Sequence, residues 1–314
     1  MRILITGGTG FIGGRLCSHI VESGHKVFVS VRRPEARQWD WPEGVSLVDL
    51  DWESKDSIGA LDMKLDAIIH AAGVNAKNSL LNPGIALQFN GLGTLRLLMS
   101  AIANRVPNFL YISTTQVYGA TPFGELSELS PTTNLHPYAT SHLAGENAIL
   151  FARSQGQING AVVRLANAYG PPIHKDVNCW NLVINDLCRQ AIVNHELKLN
   201  SSGEQYRNFV SITATCQVIE RLVTGKSNPS ESALYNLAST ETIQVIEVAR
   251  RIQSRCKRVQ GFEPIIIVGG ANEDQAKYWL NIDRLKSSGC VLPNFDLEEI
   301  DRTLAFCDAN FSHR

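Results

Sequence analysis

Ile3-Leu4-Ile5-Thr6 runs directly into Gly7-Gly8-Thr9-Gly10-Phe11-Ile12-Gly13 and then Arg15-Leu16. An apolar strand, a glycine turn and a helix start, in that order, leave few folds open. Gly7 permits a tight turn, Gly10 lets backbone N–H groups approach a pyrophosphate, and Gly13 lets the helix pack close to the strand. The helix start at Phe11 and Ile12 adds N–H donors and the positive end of the helix dipole. Gly7, Gly10, Phe11, Ile12 and Gly13 are therefore candidate cofactor contacts.

Apolar runs continue the pattern. The sequence predicts strands at Arg2–Thr6, Lys26–Val31, Ser46–Asp49, Ala67–His70, Phe109–Ser113 and Ala161–Leu165. Helices are predicted at Phe11–Ser23, Gly84–Asn104 and Tyr138–Ser154. Most of these strands lack polar alternation, which suits a parallel sheet covered on both faces. The β-α-β-α order implies right-handed crossovers and a doubly wound α/β sheet, the Rossmann arrangement. After Pro171-Pro172 the rhythm loosens. Helices are expected at Asn178–Val193, Ser211–Val223, Thr242–Cys256 and Leu297–Asp308. A polar β segment is expected at Lys198–Val210, with short strands at Ala233–Leu237 and Ile265–Val268. We expect a dinucleotide-binding domain over residues 1–170. Residues 171–314 should form mostly a smaller α/β substrate-binding cap, with some elements returning to the main domain.

Composition narrows the function classes. In 314 residues, 29 Lys and Arg face 30 Asp and Glu, so the positive excess of a general nucleic-acid or anionic-membrane binder is missing. The seven cysteines are scattered without a C-x-x-C pair, which argues against a disulfide framework or metal site and for a reducing cytoplasm. No run reads as a signal peptide or approaches membrane-spanning length. The expected partner is a small molecule, not nucleic acid or membrane.

Further motifs follow in order. They are Asp49-Leu50, His70-Ala71-Ala72-Gly73, Asn90 opening N-x-x-G-T, Arg164 to Pro171 as R-x-x-N-x-Y-G-P, and Arg207-Asn208-Phe209-Val210. With the glycine corner they resemble the extended short-chain dehydrogenase/reductase family of NAD(P)-dependent nucleotide-sugar epimerases, dehydratases and reductases. The resemblance implies that Asp49 and Leu50 contact adenine and that Ala71 and Ala72 lie beside the cofactor's phosphates and ribose. It also implies that Asn167 and Arg207 bind the substrate, as an amide for a phosphate or uracil-like edge and a guanidinium for diphosphate. Family members commonly form dimers through the helices that include the Tyr138 segment, so a homodimer is expected.

At the end of the second strand, where an NAD-selective site usually carries Asp or Glu, this chain has Val31, and Arg32-Arg33 follow. Guanidinium groups suit a 2′-phosphate that a carboxylate would repel. NADP is thus preferred, with NAD the alternative.

Tyr111 to Gly119 resembles the family segment ending V-Y-G and puts Thr114 in the place of the catalytic Ser/Thr. Tyr138 opens a Y-x-x-x-K motif in which His142 replaces lysine. Residues four apart share a helix face, so Tyr138 and His142 can both reach a nicotinamide ribose. To act as a base at neutral pH, a tyrosine with an ordinary pKa of about 10 needs about 4 kcal/mol of differential stabilisation. A histidine, mostly neutral at pH 7, supplies less of it than a lysine. Reduction needs the opposite, a neutral phenol that gives its proton away. The dehydratases of the family carry Asp-Glu after the catalytic Thr. Thr115 and Gln116 stand there instead, which argues against dehydration.

The leading expectation is NADPH-dependent 4-keto reduction of a nucleotide-activated sugar. The alternatives are a 4-epimerase with retained NAD(P) and a non-catalytic dinucleotide-binding regulator or scaffold.

Overall fold

The computed structural model describes residues 1–31, 34–52, 54, 56–61, 63–225, 232–270, 276–290 and 294–312. The chain begins with β1 (Arg2–Thr6), α1 (Phe11–Glu22), β2 (Lys26–Ser30), β3 (Val45–Val48) and β4 (Ala67–His70). Two short helices, α2 (Ala76–Leu81) and α3 (Pro83–Ala86), lead through a π-helical stretch at Leu87–Gly93 into α4 (Thr94–Ala103). Next come β5 (Asn108–Thr114), β6 (Gly124–Leu126), α5 (Pro137–Ser154), β7 (Asn159–Leu165) and β8 (Asn167–Tyr169). The rest comprises α6 (Val183–Asn194), β9 (Glu196–Leu199), β10 (Tyr206–Ser211), α7 (Ile212–Val223) and β11 (Leu234–Leu237), then β12 (Thr242–Gln244), α8 (Val245–Gln260) and β13 (Ile265–Val268). It closes with β14 (Tyr278–Leu280), α9 (Asp283–Ser287) and α10 (Leu297–Phe311).

Seven strands form one parallel sheet in the order β11-β7-β5-β4-β1-β2-β3. The sheet is doubly wound, and the chain reverses direction between β1 and β4. In such sheets a ligand crevice opens outside the carboxyl ends of the strands at that reversal. The apolar runs are the cause of the burial: Ile3, Leu4 and Ile5 of β1 and Ile68 and Ile69 of β4 have no exposed surface. Each fully buried side chain of this kind contributes about 1.5–3 kcal/mol.

Among the described residues there are three smaller sheets: β12-β10-β8, β13-β9 and β14-β6. The two ends of the chain interlock. β11 returns to the main sheet beside β7, and α7 packs on α1, where His19 Nε2 lies 2.9 Å from a Glu220 carboxylate oxygen.

The predicted strands of the first half match within one or two residues, but the second half departs from expectation, with β14 and α9 unforeseen. The helix expected from Asn178 begins at Val183, because the Cys179 and Leu182 N–H groups are spent in tight turns, on Val177 and Cys179 carbonyls. The polar segment 198–210 is two strands in different sheets, β9 and β10. Thr242–Gln244, expected as helix, pairs antiparallel with β10 as β12. The helical run Pro83–Ala103 qualifies the expectation about membrane-spanning segments. It is 21 residues long with mean hydropathy 1.2 in its best window, and half of that window is buried within the protein.

Candidate active site

The glycine corner is built around steric necessity. Gly7 has φ +73°, and a Cβ there would lie 2.7–2.8 Å from the backbone of Ala71 and Ala72. A Cβ on Gly13 would lie 2.3 Å from the Gly7 carbonyl oxygen, so α1 can seat against the turn only with glycine there. Gly10 occupies the N-cap of α1 and is exposed, and no side chain caps the helix. The first-turn N–H groups thus stay available in a concave corner, which fits a dinucleotide pyrophosphate.

A cleft of about 540 Å³ starts at this corner. It is lined by Phe11, Ile12, Ala71 and Ala72 from the cofactor side, by Thr114, Tyr138 and His142, and by Asn167 and Arg207. Candidate residues up to 196 positions apart in sequence therefore meet in one depression. Asp49 and Leu50 do not line it: Asp49 is exposed and paired with Arg37, and Leu50 is half-buried against the apolar cluster that includes Leu4, Phe28 and Ile68. Arg32 and Arg33 lie outside the described residues.

Tyr138 stands at the start of α5, in the first turn after Pro137. His136 caps this helix, its Nδ1 accepting the Tyr138 N–H at 3.1 Å. Thr114, at the end of β5, lines the same cleft. Burial raises the Tyr138 pKa above its ordinary value, and the neighbouring Thr114 hydroxyl opposes this only in part, so the phenol is neutral at pH 7. One turn on, His142 is buried, and its Nδ1 lies 2.9 Å from the Tyr138 carbonyl oxygen. The Asn90 amide nitrogen also lies 3.4 Å from Nδ1, but its two hydrogens have Ser141 Oγ and the Val74 carbonyl as acceptors. The Tyr138 carbonyl is nearer and can only accept, so Nδ1 carries the hydrogen and Nε2 is left as an acceptor. Burial pushes the imidazole pKa down to about 4, against the opposing effect of that carbonyl.

Asn90 positions this helix. It lies in the π-helical stretch, where Gly91 and Gly145 allow close approach: a Cβ at Gly145 would meet the Asn90 carbonyl oxygen at 3.0 Å. Its side-chain oxygen accepts the Val74 N–H at 2.7 Å, and its amide donates to Ser141 Oγ at 3.0 Å. One side chain thus joins the loop after β4 to α5. A second chain of bonds runs behind it. The Thr6 hydroxyl donates to His70 Nδ1 (2.7 Å), His70 Nε2 donates to Thr94 (2.9 Å), and Thr94 donates to the Asn90 carbonyl (2.8 Å). His70 is neutral there, because burial lowers its pKa to about 3.

At the other end of the cleft Asn167 donates to the Asn208 carbonyl at 2.9 Å, and Arg207 Nη1 donates to the Tyr206 carbonyl at 2.7 Å. Sequence reading missed Gln116, Asn134, Asn178 and Asn181, which also line the cleft. Asn178 and Asn181 escaped notice because their segment reads as helix. Among the described lining residues there is one cation, Arg207, and no carboxylate.

A family model described as the NAD dependent epimerase/dehydratase family matches residues 3–238. The chain belongs to that family, a branch of the extended short-chain dehydrogenases/reductases. A curated relative, UDP-glucuronic acid decarboxylase 1 of Xenopus tropicalis, is 28% identical over 80% of this chain and 59% of the relative. A putative UDP-glucose 4-epimerase of Methanocaldococcus jannaschii is 26% identical over 95% of each chain. The crystal structure of the Thermus thermophilus UDP-glucose 4-epimerase in complex with NAD superposes with TM-score 0.82 at 21% identity, covering 99% of this chain and 100% of that one.

Proposed function

We propose that this family member is an oxidoreductase that reduces a 4-keto group on a nucleotide-activated sugar, taking hydride from NADPH. The observation that carries the reading is the Tyr138 phenol, held neutral by burial, sharing its cleft with Thr114 and flanked at 4.3 Å between ring centres by a neutral imidazole. A reduction needs a proton donor at this point, and an oxidation needs a base. When bound, the nicotinamide supplies the hydride. Tyr138 gives its proton to the keto oxygen, and Thr114 orients that oxygen. The Gly7–Gly13 corner, with Ala71 and Ala72, holds the cofactor's diphosphate and ribose. Arg32 and Arg33 serve the adenine end and favour NADP over NAD. Asn167 and Arg207 hold the nucleotide diphosphate. Dehydration is disfavoured because Thr115 and Gln116 supply neither acid nor base.

The experiment is incubation with NADPH and a panel of UDP- and dTDP-4-ketosugars, following NADPH consumption. Turnover that falls about 10²- to 10⁴-fold in Tyr138→Phe supports the reading. Tight cofactor binding with no turnover on any member would overturn it and favour a non-catalytic dinucleotide-binding regulator. The epimerase relative in Methanocaldococcus jannaschii keeps a second reading open, a 4-epimerase that oxidises and re-reduces through a retained cofactor. Stoichiometric copurifying cofactor and no net redox change would support that one.

We also propose a homodimer through α2–α5. Leu80, Leu81, Leu87, Leu92, Leu95, Met99 and Phe151 are all at least 40% exposed, and burying apolar side chains of this kind is what drives self-association. Sedimentation of wild type against Met99→Glu/Phe151→Glu tests it, with dissociation expected in the variant.

A further inference from the structure

Hydride loss turns a neutral dihydronicotinamide into a pyridinium that carries one positive charge. Any fixed charge around Tyr138 and His142 would therefore shift the relative affinity for the two forms. Here the polar groups are a neutral phenol, the Thr114 hydroxyl and a neutral imidazole. Arg207, the cation among the described lining residues, stands on β10 beside Tyr278.

His142 has a defined polarity. Its Nδ1–H is committed to the Tyr138 carbonyl, and Nε2 faces Gly73, 3.7 Å from where a Cβ on that glycine would stand. Gly73 and His142 both line the cleft, and the acceptor nitrogen stands on its Gly73 side. A lysine at this position would offer only donors and a full charge. The imidazole inverts the hydrogen-bond polarity and removes the charge.

Resting on the reading of this cleft as a nicotinamide site, we infer that His142 holds the nicotinamide ribose by accepting a hydroxyl hydrogen at Nε2. By leaving this end of the cleft uncharged, it also sets the redox poise of the bound cofactor in favour of hydride donation. The oxidised form escapes the repulsion that an ammonium would impose, so the bound couple gives up hydride more readily. His142 tunes the cofactor and is not a failed base.

The test measures dissociation constants for NADP⁺ and NADPH on wild type, His142→Lys and His142→Gln at pH 7, by calorimetry. A unit charge within several ångströms of the ring, at an effective dielectric constant of about 20, is worth about tenfold or more in binding. We expect His142→Lys to raise the ratio of oxidised to reduced dissociation constants by about tenfold. His142→Gln, which is neutral, should leave that ratio within about twofold. An unchanged ratio in a folded His142→Lys, or an equal shift in both variants, would overturn the inference while the nicotinamide reading stood. Failure of wild type to bind either form would remove both. Should His142→Lys not fold, ¹⁵N NMR of wild-type histidines decides. A bare Nε2 whose resonance moves toward hydrogen-bonded values when NADPH is added supports the assignment, and a protonated Nε2, or one that NADPH does not move, overturns it.

Discussion

The Nδ1–H of His142 donates to the carbonyl oxygen of Tyr138, one helical turn upstream and 2.9 Å away. That bond fixes the tautomer of one candidate catalytic group through the backbone of the other. It also keeps the imidazole in its low-pKa surroundings, where burial outweighs the carbonyl's attraction for the charged form.

The first prediction is a flat pH profile. His142 titrates at about 4, and burial raises Tyr138 above its ordinary value. Neither changes charge between about pH 5 and pH 9. The hydride-transfer rate, followed under single turnover with NADPH, should therefore show no inflection in that range. In His142→Lys the ammonium favours the phenolate, and a falling alkaline limb should enter the window as proton-donor phenol is lost.

Stability should fall with acid for a reason tied to two residues. His70 and His142 take up protons near pH 6.5 in the unfolded chain but only at about 3 and about 4 in the fold. Between these values the unfolded state binds more protons, so folding free energy declines as pH falls. The loss from His142 alone is about 3 kcal/mol by pH 4, with more from His70. Urea titrations from pH 7 to pH 4 check this. His142→Gln should flatten the dependence by close to one proton, and equal slopes in variant and wild type would contradict it.

Gly13→Ala tests the corner directly. The added methyl would lie 2.3 Å from the Gly7 oxygen, and the atom in the way is backbone, so the turn itself must move. Overpacking of this kind costs about 1–3 kcal/mol. Because that turn forms the diphosphate cradle, we expect dinucleotide affinity to fall about a hundredfold. A melting curve and a cofactor titration on the same sample separate the two effects.

How much of this is legible in the sequence depends on distance along the chain. The strand-turn-helix at Ile3–Gly13 and the four-residue spacing of Tyr138 and His142 are local patterns, and both survive in the structure. Thr114 can be aligned because the V-Y-G segment follows it. By contrast, β6 and β14 are three residues each and pair across more than 150 positions, so neither shows a period of its own. The π-helical stretch reads as ordinary helix because its apolar spacing is nearly helical. The tautomer of His142 follows from a carbonyl that only the folded helix brings into line. Asn178 and Asn181 are hidden for the converse reason, since their residue types fit a helix that the turn bonds prevent.

The last prediction concerns the pair that anchors the floor of the site. Glu146 of α5 and Arg164 of β7 are 0% and 4% exposed, with Arg164 Nη2 donating to Glu146 at 2.8 Å and Nε also in range. Ser113, next to Thr114, donates to the same carboxylate, and the guanidinium lies 4.9 Å from the Tyr118 ring centre. Replacing Arg164 with Met strands a buried carboxylate and should cost about 3–5 kcal/mol. Removing both charges, as in Glu146→Leu/Arg164→Met, should recover much of that loss, because a buried pair repays little more than its own desolvation. If the pair serves only stability, the double variant will also recover activity. If it orients Ser113 and hence Thr114, the double variant will regain its urea midpoint while turnover stays low. We expect the second result, since the carboxylate is the acceptor that holds the end of β5 against α5.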